Sequence, residues 1–166
     1  MYFKIYKSKL VISHFYILCF LFLLAACSSD DSIDKDEEKP TITVAYDQGF
    51  PQSCTELVRG ETYVFKAMVS DNKALASYSL DIHHNFDHHT HDDQGAQCEL
   101  EPIKTAVDPF LFVQNFSIED EVKNYEIQIS VTIPNDVDTG DYHCAYSVTD
   151  TTGWQSRTSI DIKIIE

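Results

Sequence analysis

The stretch from Pro40 to Glu166 predicts an all-β fold, an antiparallel β-sandwich of about seven strands. Three observations predict it. Apolar residues recur with a period of two rather than 3.6, the alternating runs are rich in β-branched and aromatic residues, and turn signals separate them at short intervals. No run of 12 or more residues carries a helical stripe, and no internal repeat appears. At 127 residues, this stretch is long enough for one domain with a sizeable core.

The strands are expected in the following order. The first runs from Thr41 to Tyr46, and the second from Glu61 to Ser70 follows the Arg59-Gly60 turn. Asp71-Asn72 then leads into a third strand from Leu75 to His84. Phe110 to Ile118 forms the fourth and Asn124 to Ile133 the fifth, which Pro134 ends because it has no N–H to give to a ladder. The sixth spans Asp141 to Thr149, and Asp150-Thr151-Thr152-Gly153 turns the chain into the last, Ser156 to Ile165. On the third strand Ala76, Tyr78, Leu80 and Ile82 should face the core, with Ser77, Ser79, Asp81 and His83 outward; on the sixth, Tyr142, Cys144, Tyr146 and Val148 face inward and His143 outward.

Within the sixth strand, Asp138-Thr139-Gly140-Asp141-Tyr142-His143-Cys144 resembles the immunoglobulin-type entry into strand F, where a corner tyrosine two residues before a core cysteine ties its hydroxyl to the preceding loop. The second strand carries no cysteine, so the inter-sheet disulfide of antibody domains is absent and the resemblance is to bacterial immunoglobulin-like modules.

Residues 1 to 26 read as a signal peptide: Lys4, Lys7 and Lys9 precede a short apolar run that ends at Leu24-Ala25-Ala26-Cys27. That ending resembles the lipobox of bacterial lipoproteins, which implies cleavage before Cys27 and a diacylglycerol on its sulfur. Residues 27 to 39 are then the lipidated cysteine and a flexible acidic tether, with six acids and two lysines in its last twelve residues. Ser28-Ser29-Asp30-Asp31 resembles the acidic signal that sends Bacteroidetes lipoproteins to the outer face of the outer membrane, so the resemblance implies a lipid-anchored, surface-exposed domain. The whole chain has 12 basic and 27 acidic residues, and loss of the signal removes three bases and no acid, leaving a formal charge of −18. Nucleic-acid phosphates would be repelled and cations concentrated.

An oxidising address lets cysteines pair. Three pairings are open to Cys54, Cys98 and Cys144, and the inward alternation at Cys144 favours a Cys54–Cys98 disulfide, closing a loop of about 45 residues and adding ~3–4 kcal/mol in the loop-entropy treatment. No Cys-x-x-Cys spacing points to a cysteine metal site.

The chemistry lies in Asp81-Ile82-His83-His84-Asn85-Phe86-Asp87-His88-His89-Thr90-His91-Asp92-Asp93, which holds five of the seven histidines. Imidazoles in number, interspersed with carboxylates, are the donor set for a divalent transition metal: zinc first, with copper or nickel also suited. If the third and sixth strands are neighbours, His83 and His143 become cross-strand partners. His88, His89 and His91 would fold back from the loop to complete the shell, and Asp81 or Asp87 would orient ring nitrogens. His84 is the least suited ligand. A loose histidine loop would bind metal weakly without His143.

Taken together, the lipobox, tether, histidine stretch and tyrosine corner resemble uncharacterised Bacteroidetes-type lipoproteins with one immunoglobulin-like domain of unknown function. Neither His-Glu-x-x-His nor Gly-x-Ser-x-Gly occurs, and five glycines supply no phosphate-cradling loop, so the chain is read as a non-enzyme. The expected function is metal capture at the surface, with delivery to an outer-membrane transporter. The alternative is an adhesion or assembly module that binds a protein or glycan and keeps its histidines for structure.

Overall fold

A computed structural model describes residues 35–91 and 98–166 of the chain. The expected signal peptide, Cys27 and the first part of the expected tether lie outside the described residues, as do Asp92 and Asp93. The folded unit begins at Asp36, four residues before the boundary read from composition. Asp36 is buried: its carboxylate accepts a hydrogen bond from Asn72 Nδ2 at 2.9 Å, and its carbonyl accepts one from Trp154 Nε1 at 3.0 Å.

Among the described residues, eight strands form two sheets: β1 (Thr41–Thr43), β2 (Thr55–Val58), β3 (Thr62–Ser70), β4 (Leu75–His84), β5 (Phe112–Ser117), β6 (Asn124–Thr132), β7 (Gly140–Asp150) and β8 (Gln155–Ile165). The smaller sheet has the order β1-β3-β6 and the larger β2-β8-β7-β4-β5. This is a β-sandwich, as the period-two pattern predicts. Two details differ from the expected seven antiparallel strands. The four residues of β2 are too few to carry an alternation, and β2 pairs parallel to β8, Thr55 opposite Ile162 and Leu57 opposite Ile164, so the larger sheet is mixed.

The core lies between the sheets. Phe65, Ala67 and Val69 of β3 and Ile127, Ile129 and Val131 of β6 meet Leu80 and Ile82 of β4, Tyr142, Cys144, Tyr146 and Val148 of β7, and Ile160, Ile162 and Ile164 of β8. A register shift between Leu75 and Ser77 alters the start of β4, burying Leu75 and leaving Ala76 only half-buried. Tyr142 makes the corner: its hydroxyl donates to the Asp138 carbonyl at 2.6 Å and accepts from the Phe110 amide at 3.1 Å.

The outward face of the larger sheet is partly covered, around β7 and β8. Asp141, His143, Ala145, Ser159 and Asp161 point away from the core, yet all are buried. The described parts of the connection from β4 to β5, residues 85–91 and 98–111, lie against this face. The Asn85 amide bonds the Asp141 carbonyl, the Glu101 amide bonds Asp141 Oδ2 at 2.7 Å, and the Cys98 amide reaches Asp161 Oδ2 at 3.3 Å. A disulfide from Cys98 to Cys54 ties the connection to the segment entering β2. Cys144 stays a buried thiol, which desolvation pushes well above its ordinary titration range.

Candidate metal centre

Strand register makes the first half of the site. β4 and β7 are antiparallel neighbours with His83 opposite His143, and β8 continues the row with Asp161 opposite His143. The ring centroids of His83 and His143 lie 5.6 Å apart. Two residues before His83, Asp81 shares its outward face, and Asp81 Oδ1 lies 2.8 Å from His83 Nδ1.

The second half comes from a reversal after β4. The His88 amide bonds the Asn85 carbonyl at 3.2 Å and His88 takes a φ of 57°, a left-handed conformation in which histidine is one of the tolerated residues. The chain turns back, bringing His89 and His91 over His83. His89 Nε2 and His91 Nε2 each lie 3.2 Å from His83 Nε2. His89 Nδ1 meets Asp87 Oδ1 at 2.7 Å.

These contacts fix the tautomers. A carboxylate only accepts, so Asp81 and Asp87 hold the protons of His83 and His89 on Nδ1 and leave the Nε2 lone pairs bare. Two lone pairs facing each other at 3.2 Å repel unless a proton or a metal ion lies between them. Tetrahedral donors at 2.0–2.1 Å from one zinc ion stand about 3.3–3.4 Å apart, so the observed spacing fits with little adjustment. The hydrogen bond from His83 holds the Asp81 carboxyl below its ordinary value, and that from His89 does the same for Asp87. Burial lowers His91, with the fields of the neighbouring rings adding to the effect, and burial likewise lowers His143, which favours neutral rings able to donate lone pairs.

His143 differs from the expectation that it faces solvent. It does leave the outward face of β7, but it is 0% exposed because the histidine loop and His83 lie over it. Its ring centroid is 4.9 Å from that of His89 and 4.7 Å from that of His91, so its ring packs against the three whose Nε2 atoms meet. Its Nε2–H donates to the His89 carbonyl at 3.1 Å. Its Nδ1 is only 2.9 Å from Asp161 Oδ1, yet that contact is poorly aligned and does not satisfy the nitrogen as a hydrogen bond would.

The other histidines go elsewhere. His88 Nε2 points to the Glu101 carbonyl at 2.8 Å, so its part is in the turn and in anchoring the loop, away from the cluster. The His84 ring lies against Phe86, 4.9 Å between centroids. Asp161 escapes sequence reasoning, although an acid within Ile160-Asp161-Ile162 on the strand beside His143 is the signal that marks it.

The model of the family described as Domain of unknown function (DUF4625) matches residues 25–165. The chain belongs to this family. The DUF4625 match takes in all eight strands, the disulfide and every histidine of the cluster. No curated protein matches the chain. Among solved structures, the sporulation control protein Spo0M from Bacillus subtilis is similar at a TM-score of 0.39 and 10% identity, over 77% of this chain and 49% of that one. This chain thus spans about half the length of that protein, and a likeness so slight carries no argument.

Proposed function

We propose that this DUF4625 chain binds one divalent transition-metal ion, zinc foremost, with copper and nickel as the other candidates, through His83, His89, His91 and His143. The observation that carries the reading is the pair of 3.2 Å contacts that bring three Nε2 atoms together, with carboxylates behind two of the rings. His143 joins as fourth ligand by exchanging the His89 carbonyl for the ion, while Asp161 receives its Nδ1–H. With His143 as the fourth ligand the shell would be a closed tetrahedron, and on that arrangement the proposal is of binding without turnover.

The proposal extends to address and purpose. Leu24-Ala25-Ala26-Cys27 and the acids after it support a lipoprotein of the Bacteroidetes type, anchored through Cys27 in the outer membrane and facing outward. There it captures metal and hands it to an outer-membrane transporter.

The test is elemental analysis of tag-free protein followed by calorimetry. One equivalent of metal per chain is expected. His83→Ala, His89→Ala, His91→Ala and His143→Ala should each weaken zinc binding by at least about tenfold, or 1.4 kcal/mol, whereas His88→Ala should bind like the parent. Parent-like binding by His83→Ala would sink the site, and parent-like binding by His143→Ala would reduce it to three ligands.

A further inference from the structure

The end of the sandwich where the chain enters the domain carries a second constellation, made only of oxygen donors. Asp36 precedes β1, Asp71 opens the β3–β4 turn, and Asp150 ends β7; one carboxylate oxygen from each lies within 4.8 Å of the others. Such a cluster alone is unremarkable, since acids gather on many surfaces. Here two of the three residues are buried, Asp150 to 2% exposure and Asp36 to 7%.

The hydrogen bonds divide each carboxylate in two. Asp150 Oδ1 accepts from the Thr152 and Trp154 amides, each at 2.8 Å, and from the Thr152 hydroxyl at 2.9 Å, while the equally buried Oδ2 has no hydrogen-bond partner. Asp71 Oδ2 accepts from the Lys73 amide at 2.6 Å, and Asp71 Oδ1 is buried without a partner. Asp36 Oδ1 accepts from Asn72 Nδ2 and the Glu38 amide, and Oδ2 has only a long contact to the Thr152 hydroxyl at 3.4 Å. Protein donors thus orient one oxygen of each group. Two of the remaining three have lost their water and gained nothing for it, a cost that buried carboxylates normally avoid. Lys73 lends a positive field at Asp36, and Lys123 Nζ reaches the Asn72 carbonyl next to Asp71 at 2.6 Å.

We infer that Asp36, Asp71 and Asp150 bind a hard divalent cation of the calcium class, which fastens the entering segment Asp36 to Lys39 to the β3–β4 and β7–β8 turns. All-oxygen donors select hard cations over zinc or copper. Oxygens that ring one calcium ion at 2.3–2.6 Å stand no more than about 5 Å apart, a limit the three carboxylates meet, and backbone oxygens or waters would complete the shell. This site is independent of the histidine centre in donor type and position in the fold.

The chain has one tryptophan, and it reports on the site: Trp154 Nε1 bonds the Asp36 carbonyl and its amide bonds Asp150 Oδ1. The test uses the full chain in detergent, stripped with a chelator and titrated with terbium, a luminescent substitute for calcium, excited through Trp154. Saturable emission that calcium displaces is expected. Asp71→Asn and Asp150→Asn should each weaken binding by at least about tenfold, and the triple variant His83→Ala/His89→Ala/His91→Ala should stay within about twofold of the parent. Asp150 also shapes its turn, so Asp71→Asn is the decisive variant, with its circular dichroism required to match the parent. No saturable signal in the parent, or parent-like affinity in Asp71→Asn, would overturn the site and assign the cluster to charge balance by Lys73.

Discussion

The orienting carboxylates do much of the work at the histidine centre. Asp81 and Asp87 do not touch the point where the Nε2 atoms meet; they decide which nitrogen of each ring carries the proton. Asp81→Asn, which can present an amide N–H to His83 Nδ1 and invert its tautomer, is expected to lower zinc affinity about 10- to 100-fold with little change in folding. Calorimetry beside thermal denaturation separates the two effects. Tyr142 is a residue of the opposite kind, remote from the metal chemistry and structural. Tyr142→Phe removes a donor to Asp138 and strands the Phe110 amide, so urea unfolding should register a loss of about 1–2 kcal/mol while metal stoichiometry is unchanged.

Strands were the legible elements, and the long connection was not. Alternation in Tyr142, Cys144, Tyr146 and Val148 identifies the inward face of β7, and the tyrosine corner makes β4 its neighbour, from which the His83–His143 pairing follows. What alternation cannot report is what covers the opposite face. His143 is therefore legible as outward but not as buried, because its cover is the turn that carries His89 and His91, placed by a left-handed His88, while a disulfide and amide bonds to Asp141 and Asp161 hold the later part of the connection at Cys98 and Glu101. The same limit explains His88, which resembles its neighbours in sequence but is turned aside by one backbone angle. β2 was missed because it is held by edge pairing to β8 rather than by a pattern of its own. Since the Cys54–Cys98 bond holds the covering connection, Cys54→Ser/Cys98→Ser is expected to cost about 2–4 kcal/mol in denaturant unfolding and to weaken zinc binding as well.

At the scale of the molecule, 27 acids against 12 bases set up a field that draws cations toward both candidate sites before any ligand is touched. Raising ionic strength from about 0.01 M to 0.15 M shortens the reach of that field from roughly 30 Å to 8 Å, so stopped-flow measurements should find the zinc association rate falling while dissociation barely changes. The disulfide has a further consequence, one of timing. Until Cys54 and Cys98 join, the connection that covers the site is held there by hydrogen bonds without a covalent tie, and the cost of ordering it must be charged against the metal's affinity. On the proposed zinc reading, a chain with free thiols should compete poorly for the ion. Closing one sulfur–sulfur bond should then raise its affinity, an order in which oxidation precedes loading.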